Sequence, residues 1–150
     1  MTRIVLDAMG SDNHPEPELE ACLQAHARWG DPVTLVGPAE RLLPALAARG
    51  AGPETVHLVD APEVLEMTDH PADAARDKPR SSMAVGIDLL KQGQAEAFVT
   101  AGNTGGAMAT ALFRLGRIRG VRRPALATVF PVRSGRAILT DIGANADCRP

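Results

Sequence analysis

Aromatic side chains are scarce in this sequence: Trp29, Phe98, Phe113 and Phe130 are the whole complement, and tyrosine is absent. So small a set cannot build the base-stacking platforms on which single-strand nucleic-acid readers depend. An excess of positive charge is also missing. Sixteen Lys and Arg face eighteen Asp and Glu, for a net charge of -2, which leaves nothing over to neutralise a nucleic-acid backbone. Nucleic acid is therefore not expected as a partner. Cysteine is limited to Cys22 and Cys148, too far apart for a CxxC pair and too few for a zinc framework, which fits a reducing, cytoplasmic setting. Long hydrophobic runs are lacking too. The longest uncharged stretch, 97–113, carries Gly102-Asn-Thr-Gly-Gly106 in its middle, where polar backbone and an amide would sit in hydrocarbon. No signal-peptide h-region follows Met1. Any membrane association is then peripheral, or made through a partner.

Several motifs are missing as well. There is no G-x-G-x-x-G after the first apolar run, no G-x-x-x-x-G-K-[ST], no G-x-S-x-G elbow and no HExxH. A standard dinucleotide fold, a P-loop NTPase, an α/β-hydrolase and a His-ligated catalytic metal are all disfavoured.

What is present is a chain of 150 residues, 45% apolar, enough for a buried core built mainly from Ala, Val and Leu. Aliphatic runs of strand length alternate with segments of helical spacing. Strands are expected at 3–7, 32–37, 55–60, 97–100, 125–132 and 136–142. Helices are expected from Pro15 to Gly30, over 42–49, from a Ser81 or Ser82 cap to Gly93, and over 104–115. Pro44 suits a first helical turn, so the second helix should start late or kink. The Pro- and acid-containing segment 61–80 has no readable period and is open to mobility. Arg133-Ser-Gly135 is short enough for a hairpin. Continuously apolar strands between helices indicate an α/β fold with a mostly parallel sheet covered on both faces. The end at Asp147-Cys-Arg-Pro150 follows a strand with no covering helix, so the chain reads as a piece whose C-terminal part is missing.

Open parallel sheets bind ligands where strands run into helices, and three such loops carry suitable residues: Asp7-Ala-Met-Gly-Ser-Asp12, Thr100-Ala-Gly-Asn-Thr-Gly-Gly106 and Asp141-Ile-Gly-Ala-Asn-Ala-Asp147. In the second, Gly102, Gly105 and Gly106 allow a tight turn whose N–H groups face an anion, with Thr104 or Asn103 as cap; the glycines serve equally well for close helix–strand packing. Ser81 and Ser82, just after Lys78 and Arg80, form a second candidate anion corner, or an ordinary cap. Asp7, Asp12, Asp141 and Asp147 fit turn-holding or cation binding. Cys148 has no histidine near it in sequence and reads as structural, and His14 is the one histidine placed in a candidate loop.

Five segments in order, Leu6-Asp-Ala-Met-Gly-Ser-Asp12, Lys78-Pro-Arg-Ser-Ser-Met83, Thr100-Ala-Gly-Asn-Thr-Gly105, Arg123-Pro-Ala-Leu126 and Asp141-Ile-Gly-Ala-Asn-Ala-Asp-Cys-Arg-Pro150, resemble the signature segments of the PlsX family of phosphate acyltransferases. Ser11 stands where that family usually has Gly, Thr100 where Ser is usual, and Gly106 where Ala is usual. The resemblance implies a three-layer α/β/α sandwich similar to phosphotransacetylases and isocitrate-dehydrogenase-like enzymes. Residues 1–150 would be the N-terminal part of one larger catalytic domain, usually a homodimer and inactive as a fragment. It further implies transfer of a fatty acyl group from acyl carrier protein to inorganic phosphate for bacterial phospholipid synthesis; no cofactor is expected, and no metal site is assigned. A membrane-bound glycerol-3-phosphate acyltransferase would be the downstream partner. On this view Gly102, Thr104, Gly105, Gly106, Ser81 and Ser82 bind phosphate, while Asn103, Asn145 and Asp7 are catalytic or orienting. Two other readings stay open: a phosphotransacetylase-like enzyme using coenzyme A, and a non-catalytic phosphate- or nucleotide-binding module.

Overall fold

The computed structural model describes residues 3–122 and 124–140, which fall into two compact units divided between Gly116 and Arg117. In the first unit strands and helices alternate as β1 (Ile4–Asp7), α1 (Glu16–Trp29), β2 (Val33–Gly37), α2 (Ala39–Ala47), β3 (Val56–Asp60), α3 (Pro71–Asp77), α4 (Ser82–Lys91), β4 (Ala97–Val99) and α5 (Thr104–Arg114). All four strands are parallel, in the order β3-β2-β1-β4. Val5 lies opposite Thr34 on one side and Phe98 on the other, and Leu6 opposite Leu35 and Val99.

Helices cover both faces, which is the three-layer α/β arrangement expected from the continuously apolar strands. On one face Leu6, Val33, Leu35, Val56 and Leu58 pack with Leu19 and Cys22 of α1 and Leu42 and Leu46 of α2. On the other, Val5, Val36, Val59 and Phe98 meet Val85, Leu89 and Leu90 of α4. Leu65, Ala74, Met83 and Ala107 join α3, α4 and α5 around a third cluster. Each fully buried aliphatic side chain here contributes about 1.5–3 kcal/mol of transfer free energy. Gly86 makes the α4 approach possible, because a Cβ there would lie 2.4 Å from the Phe98 ring.

Local chemistry explains most element ends. α1 opens with Glu16 and Glu18 in its first turn and has His26 and Arg28 in its last, an arrangement favourable to the helix dipole, and Pro17 sits among its first residues, where no N–H is needed. It stops at Gly30, whose φ of 77° lets its N–H bond back to the His26 carbonyl. Trp29, at that end, is 67% exposed, with the Arg28 guanidinium 5.2 Å from its ring centroid. α4 carries the expected serine cap, Ser81 Oγ accepting from the Ala84 N–H.

Two expectations need correction. α2 starts at Ala39 with Pro44 inside it, so of the two outcomes expected from that proline, a late start or a kink, the late start is overturned. Asp60 Oδ1 accepts the Ala39 N–H at 2.9 Å, and burial of Leu42 and Leu46 holds the following turns, so tertiary contacts outweigh the proline. The 61–80 segment is not a loose connection. It contains α3, and its edges are pinned by a parallel bridge between Glu63 and Ser81.

In the second unit β5 (Ala127–Val132) and β6 (Gly135–Thr140) pair antiparallel as the expected hairpin, with Gly135 already paired to Val132, and form a two-stranded sheet of their own. Val129, Phe130, Val132 and Ile138 are exposed. The preceding turn is held by the Arg117 guanidinium, which donates to the Arg122 carbonyl. Among the described residues no helix is long and apolar enough to cross a membrane.

Cys22 is fully buried, and that burial, reinforced by the nearby Glu18 carboxylate, pushes its thiol from 9.0 up to about 12. The native state thus holds a proton that the unfolded chain releases first. Stability should be unaffected below about pH 9 and decline as pH rises from there toward 12, by at most about 1.4 kcal/mol per pH unit. Urea denaturation at a series of pH values checks this; in Cys22→Ala the alkaline slope should shrink by that amount.

Candidate functional site

The strand order reverses at β1. From it the chain adds β2 and β3 in one direction, then returns to lay β4 on its other side. In open α/β sheets the crevice at the carboxyl ends of the two strands flanking such a reversal is the usual ligand site. Here those ends are Asp7 and Thr100.

Asp7 is 1% exposed and organises both loops. Its Oδ1 accepts the Met9 N–H at 3.0 Å, and its Oδ2 accepts the Thr100 hydroxyl proton at 2.7 Å. Thr100 Oγ1 in turn accepts the Gly102 N–H at 3.0 Å. The loops then touch: a Cβ on Gly10 would stand 2.8 Å from both Gly102 N and Thr100 Oγ1, so only glycine fits without moving backbone. Ser11 donates its N–H to Glu18 Oε1 of α1 at 3.1 Å, which anchors the far end of the first loop.

The start of α5 is capped by Asn103. Its Oδ1 accepts the Gly106 N–H at 2.9 Å and its backbone carbonyl accepts the Ala107 N–H. The first-turn N–H groups of Thr104 and Gly105 have no protein acceptor among the described residues, and Thr104 is exposed. Two uncapped N–H groups beside a hydroxyl, at the positive end of a helix, suit a phosphate. The same glycines also serve packing. A Cβ on Gly105 would meet Pro71 at 2.8 Å, one on Gly106 would meet Leu65 at 2.7 Å, and one on Gly102 would meet Met83 at 2.8 Å.

Asn103 does more than cap. Its Nδ2 lies within 3.2–3.3 Å of the carbonyls of Glu66, Met67 and Asp69, so both ends of its amide are engaged by the protein. Ser81 and Ser82 are buried at the head of α4, Ser81 as its cap, and the next residue, Met83, lies under Gly102. Lys78 points to the 61–70 segment: its Nζ donates to the Val64 carbonyl at 2.9 Å and to the Asp69 carboxylate. That hydrogen bond holds the Asp69 carboxyl below its ordinary value. Arg80 faces Asp60, at 3.8 Å.

The structure therefore brings Asp7, Gly102, Asn103, Thr104, Gly105 and Gly106 to one place, with Ser81 and Ser82 just before the Met83 that supports it. Asp12 is exposed, and His14 Nδ1 is buried without a partner. Asn145, Asp141, Asp147 and Cys148 lie outside the described residues. Sequence reasoning passed over Thr100 as a site residue. Its position at a strand end was visible, but its partner Asp7 becomes apparent only once β4 is known to lie beside β1.

Replacing Thr100 by Val keeps its shape and leaves Asp7 Oδ2 and the Gly102 N–H unpaired. Thr100→Val should lower stability by about 1–3 kcal/mol, while Thr100→Ser, which retains the hydroxyl, should stay close to the parent. Urea denaturation midpoints of the three proteins compare the two losses.

A family model described as fatty acid synthesis protein matches residues 2–150. The chain is 47% identical over 148 residues to a protein of Herpetosiphon aurantiacus named phosphate acyltransferase, covering 99% of this chain and 40% of that protein. Proteins of the same name from Gloeobacter violaceus and Koribacter versatilis are 49% and 51% identical, over 99% and 98% of this chain and 44% and 42% of their own lengths. This chain thus spans less than half the length of these curated relatives. With matches of this extent, the resemblance first noted in the five segments becomes a membership: the chain belongs to the fatty acid synthesis protein family that includes the phosphate acyltransferases.

Proposed function

We propose that these residues form the N-terminal part of a single larger α/β catalytic domain, in an enzyme that transfers a fatty acyl group from acyl carrier protein to inorganic phosphate. The observation that carries this reading is the pair of first-turn N–H groups of α5, those of Thr104 and Gly105, left without a protein acceptor among the described residues at the strand reversal, in a chain close to proteins named phosphate acyltransferase.

An acyl thioester is already activated, so the protein needs to place phosphate in line with the carbonyl and to stabilise the oxyanion. A phosphate oxygen attacks the carbonyl carbon, the C–O bond forms and the C–S bond breaks. The thiol leaves with the proton given up by phosphate. The N–H groups of Thr104 and Gly105 and the Thr104 hydroxyl hold the phosphate, at a turn that Gly102 makes tight enough. Ser81 and Ser82 supply a second anion corner through their hydroxyl protons. Asp7 acts by tying the β1 and β4 loops together, Asn145 orients the reactants, and Asn103, whose amide is engaged at both ends by the protein, acts by holding the start of α5. The acyl phosphate would feed phospholipid synthesis in the cytoplasm, through a homodimer that hands its product to a membrane acyltransferase.

The test uses a full-length protein with this chain as its N-terminal part, incubated with long-chain acyl carrier protein and phosphate, with acyl phosphate trapped by hydroxylamine. Phosphate-dependent product is expected. Thr104→Val should raise KM for phosphate by about tenfold or more, the loss of one hydrogen bond to a charged ligand. Product from coenzyme A thioesters alone would replace the carrier protein with coenzyme A as donor, and phosphate binding without turnover would leave a binding module.

A further inference from the structure

Residues 61–70, between β3 and α3, cross to the first turn of α5 and are held there at several points. Leu65 is buried against Gly106, at the place where a Cβ on that glycine would intrude to 2.7 Å, and Pro71 packs on Gly105 in the same way. Beside this apolar seat, one short turn of backbone directs the carbonyls of Glu66, Met67 and Asp69 at one nitrogen, Asn103 Nδ2. An amide NH2 has two protons, so three acceptors share them, and no donor capacity is left for a ligand. Lys78 closes the other side of the same strap, bonding the Val64 carbonyl and the Asp69 carboxylate, whose Oδ2 also accepts the Glu66 N–H at 2.8 Å.

We infer that Asn103 is a positioning residue that fastens the 64–69 strap to the start of α5, so that the strap forms one wall of the anion site and fixes its width. For its kinetic consequence this inference rests on the function proposed above; for its structural consequence it stands without it. The asparagine divides its work by atom: Oδ1 caps the helix through Gly106, while Nδ2 holds the strap. The division makes it separable by substitution. Serine is a good, uncharged helix cap with no amide to reach the strap. Asn103→Ser should therefore keep α5 and lose the strap, and Lys78→Met should loosen the same strap without touching α5.

The experiment measures amide hydrogen exchange over 64–69, together with kcat and KM for inorganic phosphate, in the full-length protein and in Asn103→Ser, Lys78→Met and the double variant. Both single variants are expected to speed exchange in the strap at least tenfold and to raise KM for phosphate severalfold with kcat within twofold. The double variant should fall short of the product of the two effects, since both release one element. Should Asn103→Ser not fold, Asn103→Asp keeps the cap acceptor, lacks the amide donors and serves for the exchange measurement. Unchanged strap exchange in the folded Asn103 variant overturns the inference. So does a rise in KM that Lys78→Met does not reproduce, which would put Asn103 in contact with the anion. If the parent protein shows no phosphate-dependent acyl transfer, the proposed function falls, and exchange alone decides the fastening.

Discussion

A buried carboxylate at the end of β1 and a hydroxyl at the end of β4 share a hydrogen bond of 2.7 Å, and the site is arranged around it. Asp7 has almost no contact with water, so each of its oxygens needs a donor within the protein. Met9 supplies one and Thr100 the other, and Thr100 passes the constraint on to the Gly102 N–H. Two loops that enter different layers of the sandwich are thereby set at one separation. The closeness of Gly10 to Gly102 leaves no slack in that setting, because a single added carbon would collide with backbone nitrogen.

Glycine at the start of α5 answers two demands that are often treated as alternatives. The N–H groups of Thr104 and Gly105 are left without a protein acceptor among the described residues. The bare Cα atoms of Gly105 and Gly106 face Pro71 and Leu65. A helix N-terminus that binds an anion has to be both open at its tip and immobile at its sides. Here the immobility comes from apolar contact on one side and from the Asn103 amide on another, with no charged group of the first turn involved.

Much of this was legible in the residues. The alternation of aliphatic runs with helical spacing located the strands and helices, and the caps at Ser81 and Asn103 were visible because each acts within three residues of itself. What could not be read depends on partners far along the chain. Ala39 begins α2 because of a carboxylate 21 positions away, against the local signal of Pro44. The stretch 64–69 has no period because carbonyls of Val64, Glu66, Met67 and Asp69 are satisfied by the side chains of Lys78 and Asn103, and the helix that follows it, α3, is only seven residues long. The strand order, and with it the pairing of Asp7 with Thr100, follows from crossovers that composition does not encode.

The placement of Trp29 has an optical consequence. It is the sole tryptophan, in a chain with no tyrosine, and it closes a helix of 14 residues that starts just beyond the β1 loop. At about 1.5 Å per residue, α1 carries that ring about 20 Å from its own N-terminus, to the opposite end of the strands. Its exposed indole, with a guanidinium over it, emits in a solvent-dominated environment that an anion at the start of α5 does not reach. Within these residues, intrinsic fluorescence reports the melting of the α1 end and is silent about occupancy of the crevice.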